Sequence, residues 1–455
     1  MEPRNVKTVE DAKRIVEEHE LAYVRVGVFD MDGIFRGKYM KRDKFVSALD
    51  KGFGFCDVVV GWDSNDQLYD NVDITGWHTG YPDARILLIP DSCRALPLEK
   101  NSLLFLGEFA DQAESICPRG LLKRVIRRAN EMGFAPVGSC EFEFFIFKET
   151  PASVRQKHYR DLDPITPGFF GYSMLRDAVH SEFYEELLDL CLKMDFPLEG
   201  LHSETGAGVM EAAICYDGLL AAGDKAALFK TYTKILAQKR DWITTFMAKW
   251  SPDWPGQSGH IHLSLQDMTG KPLFFDPSRP ERISEPMRHF IGGQQALMPE
   301  FLAMVAPTIN SFTRLIPGFW APTEASWGID NRTCALRVIP GSAESQRVEY
   351  RVTAADINPY IALAAALGSG LWGIENRIEP DAPITGNAYQ QSFARERQFP
   401  RSLQAAAERL LQSKAARQLF GDAFVEHYAA TRLWEQREFN KHITDWEMKR
   451  YFEII

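Results

Sequence analysis

Apolar and polar residues alternate from Ala22 to Asp30, with YVRVGVFD at the centre, the period-two signature of a half-buried strand. Met31-Asp32-Gly33 reads as a turn, and Ile34 to Met40 as the strand returning from it. Two more short apolar runs, Ala84 to Pro90 and Ser102 to Glu108, predict further strands. Thr8 to Glu18 carries the helical period instead, with Thr8 as N-cap and Asp11 imitating a capping box. The pattern therefore predicts a small strand-rich domain with few helices over residues 1–112.

The character changes near Cys117. Pro118 stands where a first helical residue belongs and Gly133 where a helix stops. Between them Leu121, Leu122, Val125, Ile126, Ala129 and Met132 line one helical face. A strand follows, and then an irregular stretch from Thr150 to Ser173, too long for a plain connector. Two long amphipathic helices are expected, Leu175 to Met194 and Asp224 to Thr244, with short strands recurring between Met210 and Arg351. Pro359 to Ile374 is free of charge, but it is shorter than the ~20 residues a membrane span needs and rich in Ala and Gly, so it reads as a buried helix. Leu403 to Ile455 reads as helical. The whole predicts an α+β protein, with a small β domain leading a large mixed domain over 113–455.

Composition narrows the function. Lys and Arg number 52 against 62 Asp and Glu, a net charge of −10, which argues against nucleic acid or an anionic membrane as partner. Arg4, Lys7, Glu10, Asp11 and Lys13 break any N-terminal apolar run, so no signal peptide is expected. The seven cysteines are scattered without a C-x-x-C pair, the pattern of free thiols in a reducing cytoplasm.

Candidate chemistry sits in three triplets: Glu141-Phe-Glu143, His260-Ile-His262, and Arg347-Val-Glu349 running on to Arg351. In a strand, residues two apart share a face. An exposed strand explains any one triplet, but three such faces restricted to Glu, His and Arg are harder to explain that way. Glu204 and Glu211 add carboxylates around a Gly-rich bend. Five carboxylates and His260 cannot gather unpaired without raising several pKa values, unless cations are present. Oxygen ligands with one imidazole suit Mg²⁺ or Mn²⁺, and six ligands point to two or three ions. From Arg314 to Arg351 there are five arginines (Arg314, Arg332, Arg337, Arg347, Arg351) and no lysine. Guanidinium forks beside divalent metals suit a nucleoside triphosphate and a carboxylate substrate. No Walker-type loop and no G-x-G-x-x-G is present, so an ATP site has to come from metals, arginines and strand residues.

The ordered set EFEFFIF, HSETGAGVME, GHIHLSL, NSFTRLIPG, NRTCALRV, RVEYRV, NPYIALAAALGSGLWGI and FPRSLQAAAERL resembles the glutamine synthetase superfamily from about Val24 to the C-terminus. The resemblance implies a β-grasp N-terminal domain, a catalytic domain with a curved antiparallel sheet flanked by helices, and a dodecamer of two hexamers with shared active sites. It implies Glu143, Glu204 and Glu211 as ligands of the metal nearest the acid substrate. Glu141, His260 and Glu349 would hold the metal nearest the phosphates. His262, Ser264 and Tyr216 would contact ATP, and Arg332 and Arg337 would steady the transferring phosphoryl group. Arg314, Arg351 and Gly256 would receive glutamate.

Three departures from glutamine synthetase matter. The flap Glu that helps bind ammonium is Trp320 here, in PGFWAP. The Asp-Gly-Ser-Ser motif is absent, with Asp57 as the best substitute for its Asp. The Asn before H-x-H is Pro255, and the Gln of the Glu-rich bend is Val209. An aromatic, aliphatic amine site suits an organic amine better than a bare ammonium ion, as in the glutamate–putrescine ligase branch that Trp320 resembles. The expectation is an ATP-dependent ligase joining glutamate to a small organic amine. A true glutamine synthetase using ammonia and a non-catalytic sensor of a nitrogen metabolite are the alternatives. No adenylylation-site Tyr segment is evident at Gly386 to Ser392.

Overall fold

The computed structural model describes all 455 residues, Met1 to Ile455. The first unit opens with α1 (Val9–Glu18), where Thr8 and Asp11 form a complete capping box. Strands β1 (Tyr23–Phe29) and β2 (Phe35–Lys41) pair antiparallel across the Asp30–Ile34 turn. Helix α2 (Arg42–Lys51) follows, then β3 (Phe53–Cys56), β4 (Asp83–Leu88), β5 (Arg94–Ala95) and β6 (Leu103–Phe109). The sheet runs β2-β1-β6-β4-β3, with β1 and β6 parallel. The charged string RDKFVSALDK did not suggest α2, yet it buries Phe45, Ala48 and Leu49 at helical spacing. These residues join a separate core of their own with Val24, Val26, Phe105 and Phe109.

Helix α3 (Pro118–Glu131) begins on Cys117, whose sulfur accepts the Gly120 N–H. The long strand β7 (Phe134–Phe147) is the spine of a nine-stranded sheet. Helix α4 (Pro151–Gln156) interrupts the long irregular stretch, nucleated by a Thr150 capping box. The expected Leu175–Met194 helix is instead two, α5 (Met174–Val179) and α6 (Ser181–Lys193), broken where His180 leaves helical geometry. Then come β8 (Leu198–Ser203), β9 (Val209–Ile214), β10 (Asp217–Gly218), α7 (Leu219–Lys239) and β11 (Ile243–Thr245). Helix α7 starts and stops about one and a half turns before the sequence expectation; it ends where Asp241 turns with φ of 56° and Ile243–Thr245 pairs with β7.

Strand β12 (Gly259–Asp267) precedes α8 (Glu285–Leu297), α9 (Leu302–Val305) and α10 (Ile309–Arg314). Strands β13 (Trp327–Ile329), β14 (Leu336–Ile339) and β15 (Arg347–Tyr350) complete the sheet, ordered β13-β14-β15-β12-β7-β9-β8 with β10 and β11 also paired to β7, and antiparallel apart from the β13–β14 pair. Helix α11 (Pro359–Glu375) is the buried helix expected from its lack of charge. It meets α8 where a Cβ on Gly293 would lie 2.2 Å from the Ser369 carbonyl oxygen, so both backbones need that glycine. Helices α12 (Leu403–Gln412), α13 (Lys414–Phe420), α14 (Asp422–Phe439) and α15 (Asp445–Tyr451) form the tail.

Polar links tie the first unit to the second. Buried Arg432 of α14 donates to Asp32 at 2.7 Å, and Asn358 donates to the Asp30 carbonyl at 2.9 Å. Arg119 binds Asp224 at 2.8 and 2.9 Å and also pairs with Glu108 of β6. No helix is long and apolar enough to cross a membrane.

Candidate active site

The nine-stranded sheet has two unlike faces. On β7 the even-numbered Phe142 and Phe144 turn inward and pack on Phe229 and Phe246. The odd-numbered Glu141 and Glu143 turn the other way. Register then does the assembly. Arg337 lies opposite Glu349, and Glu349 opposite His262. His260 lies opposite Glu141, Glu143 opposite Glu211, and Glu211 opposite His202. Residues more than 200 positions apart in the chain thus come together on one face.

Apart from His202, they line a cavity of about 540 Å³. Glu141, Glu143, Glu204, Glu211, His260 and Glu349 all face it, with Arg314, Arg332, Arg337, Arg351, His262, Gly256 and Trp320. Ser264 and Tyr216 line an adjoining pocket, joined to the first through Glu141, His262 and Arg347. Asp57 is not brought to either pocket. It is buried within the first unit, beside Thr75 and Asp83, and no residue of the first sheet reaches the main cavity of its own chain. Val209 also stays out, packed with Phe145 and Phe147, whereas Pro255 lines the wall.

The charges are arranged unequally. Glu349 is 2 % exposed and receives Arg337 at 3.0 Å and Arg351 as well. Burial would raise its pKa, but the charge of Arg351 beside it holds it down to about 2. Glu211 has no such partner, so burial and then the charges of Glu141 and Glu143 push it up to about 11. Burial, with Arg351 adding to it, lowers the pKa of His260 and keeps its imidazole neutral.

Histidine roles follow from the neighbours. Arg347 Nε lies 3.2 Å from His262 Nδ1, which must therefore accept. The proton of His262 is then on Nε2, 3.6 Å from Glu141. His260 Nδ1 lies 3.3 Å from both Glu141 and Glu349, leaving its buried Nε2 without a partner. Glu141, His262 and Glu349 bring ligand atoms within 4.8 Å of one another, as do His202, Glu204 and Glu211; carboxylates with one imidazole each, and an unpartnered Glu204 Oε2, fit Mg²⁺ or Mn²⁺.

His202 and Tyr172 were missed by sequence reasoning. The His202 ring lies 3.8 Å from Glu204 and 3.9 Å from Glu211, and Tyr172 stacks on it at 4.5 Å. His202-Ser-Glu204 has the same i, i+2 spacing as the other triplets and could have been found by it. Tyr172 lies in the irregular stretch, where periodicity gives no signal.

Arg314 is buried at the C-terminal end of α10 and donates to the Val352 carbonyl at 3.0 Å and the Arg351 carbonyl at 3.2 Å. Gly256 lies against it: a Cβ there would sit 2.5 Å from Arg314 Cγ. The mouth is aromatic. Phe319 and Trp320 are 55 % and 63 % exposed, and Trp320 holds a left-handed φ of 60° after the Pro317-Gly318 turn.

A model of the glutamine synthetase catalytic domain family matches residues 115–451. A Dictyostelium discoideum protein named type-1 glutamine synthetase 2 is 45 % identical over 95 % of this chain and 84 % of its own. A Pseudomonas glutamate–isopropylamine ligase is 37 % identical over the full length of both chains. Among solved structures, a ligand-free GmaS superposes with a TM-score of 0.84 at 23 % identity, covering 97 % of this chain and 99 % of the other.

Proposed function

This chain belongs to the glutamine synthetase family, and from that premise we propose that it is an ATP-dependent ligase joining the γ-carboxylate of glutamate to a primary organic amine. The observation that carries the reading is the single cavity where five carboxylates and five arginines meet beneath an aromatic mouth. A full-length relative named for isopropylamine supports the amine.

In this reading Arg314 and Arg351 receive the carboxylates of glutamate, with Gly256 leaving room for Arg314. Glu143, Glu204 and Glu211 hold one divalent ion, and Glu141, His260 and Glu349 hold another. Those ions would neutralise charge on the phosphates of ATP. His262, Ser264 and Tyr216 line the nucleotide side. Arg332 and Arg337 steady the phosphoryl group as it passes from ATP to the γ-carboxylate, releasing ADP. The amine then displaces phosphate from the acyl phosphate and loses a proton. Trp320 and Phe319 shelter the amine's carbon body.

The same reading divides the chain at 112/113, makes it a cytoplasmic enzyme and makes its assembly a dodecamer, in which Asp57 serves a neighbour's site. Support for self-association comes from the tail, where Ile443, Trp446, Phe452, Ile454 and Ile455 are exposed. A monomer in sedimentation would end that part.

A second reading, glutamine synthetase proper, is favoured by the 45 % identity to the Dictyostelium protein. Phosphate release with glutamate saturating separates the two, using ammonia, ethylamine, isopropylamine, ethanolamine and putrescine. The proposal expects an organic amine to win by kcat/KM. Ammonia matching the best amine at low concentration would reject it.

A further inference from the structure

Behind the sheet lies a second cavity, of about 580 Å³, which shares no lining residue with the first. It opens between the β1–β2 turn, helix α7 and the start of α10. Two lysines on α7 face it, Lys230 and Lys234, one helical turn apart, and burial pushes Lys230 down to about 7, so that an anion beside it would restore its charge. Lys230 donates to the Ile357 carbonyl at 2.6 Å and lies over the Phe142 and Phe246 rings. Lys234 lies over Phe246 and has no hydrogen-bond partner. Neither ammonium has a carboxylate within ion-pairing distance. Lys234 is open to solvent, yet surrounded by enough protein to lower its pKa, as expected of a cation facing a wet cavity.

Asp32 of the β1–β2 turn also lines the cavity but is already paired with Arg432 at 2.7 Å; the other carboxylates stand on the α10 side. Asp356 accepts from the Thr308 and Ser311 hydroxyls at 2.7 and 2.8 Å through one oxygen, while its other oxygen is buried without a partner. Glu435 lines the same side. Phe246, Ile235, Met247 and Pro307 supply apolar walls. A simple anion here would meet Asp356 and Glu435, and a simple cation would meet two lysines. A molecule carrying both charges satisfies both sets, and each buried group left unpaired is costly.

We propose that this cavity is an effector site for a small zwitterionic amino acid, with its carboxylate toward Lys230 and Lys234 and its ammonium toward Asp356. Helix α10 spans the two cavities. Thr308, at its N-cap, faces this one, and Arg314, its last residue, faces the other. Occupancy therefore bears on the arginine proposed to hold the acid substrate, and that coupling rests on the proposed reaction. The binding itself does not.

The test is calorimetric titration of the intact protein with glycine, L-proline and β-alanine, against acetate and methylammonium as single-charge controls. At least one zwitterion should bind once per chain, at least about tenfold tighter than either control. Lys234→Met should abolish binding, and so should Met247→Trp, which fills the cavity mouth without removing a charge. Arg351→Ala, in the other cavity, should leave binding intact. Loss in R351A with retention in K234M and M247W would overturn the site, as would no binding by any zwitterion. L-proline, a secondary amine, should also change the glutamate KM at least about threefold in the wild type but not in K234M. A glutamate KM untouched by bound L-proline would overturn the effector role.

Discussion

Replacing Gly256 by alanine adds one methyl group to the wall of the main cavity, and its effect can be worked from the contacts. The new Cβ would stand 2.5 Å from Arg314 Cγ, 2.8 Å from Arg314 Cβ and 3.0 Å from the Ala248 carbonyl oxygen. Carbon atoms in ordinary contact are ~3.5–4.0 Å apart, so the Arg314 stem has to retreat by about 1 Å. It has little room to do so, being 3 % exposed and held by the carbonyls of Val352 and Arg351. Overpacking of this kind costs ~1–3 kcal/mol of stability, leaving the protein folded. A displacement of about 1 Å in a positioning group lowers rates by about a hundredfold. Phosphate release against glutamate concentration, with ATP, Mg²⁺ and the best amine saturating, should show kcat/KM for glutamate falling by about that factor. The KM for ATP should stay within about twofold, because the nucleotide pocket does not include Gly256. A folded G256A protein with unchanged glutamate kinetics would refute the placement of Arg314.

Other expectations follow from the same site and its supports. Without divalent cation the Glu211 pKa stands at about 11 against an ordinary 4.5; its stabilising share is complete below 4.5 and drains away as pH rises toward 11, so the cation-free protein should weaken with rising pH. Mn²⁺ must displace that proton, so its affinity should rise by up to about tenfold per pH unit, and calorimetry in buffers of different ionisation heat should show Glu211→Gln releasing less proton; equal release in both would contradict the assignment. Trp320→Glu should raise kcat/KM for ammonia relative to isopropylamine by about tenfold, or 1.4 kcal/mol, and an unchanged ratio would remove Trp320 from the amine site. Asp224→Ala strands the buried Arg119 and should cost ~3–5 kcal/mol in denaturant unfolding, whereas a loss below about 1 kcal/mol would show that Glu108 alone satisfies it.

Strand positions were legible where one face met the core. The alternation in β1 and β7 names the buried residues, and the three triplets name the cavity side. Pro118 and Thr8 marked helix starts because capping chemistry is local. What the sequence withheld is set by neighbours: the pairing of Arg337 with Glu349 depends on strand order, and the break falls at His180, whose ring meets the distant Ile165 carbonyl and Trp242. Helix α2 was hidden because its short apolar stripe is flanked by charge. Asp57 stands out only by resemblance, and no periodicity tells whether a residue serves its own chain's cavity.

Strand β7 gives core and chemistry to alternate residues of one segment. Its two messages are interleaved like the teeth of a zip. Substitutions can retune one side and leave the other alone, but a single inserted or deleted residue exchanges them. Glu141 and Glu143 would then be driven among Phe229 and Phe246, and Phe142 and Phe144 into the acid-lined hollow. Length changes in this strand should therefore survive only in pairs, while positions 141 and 143 stay open to new chemistry.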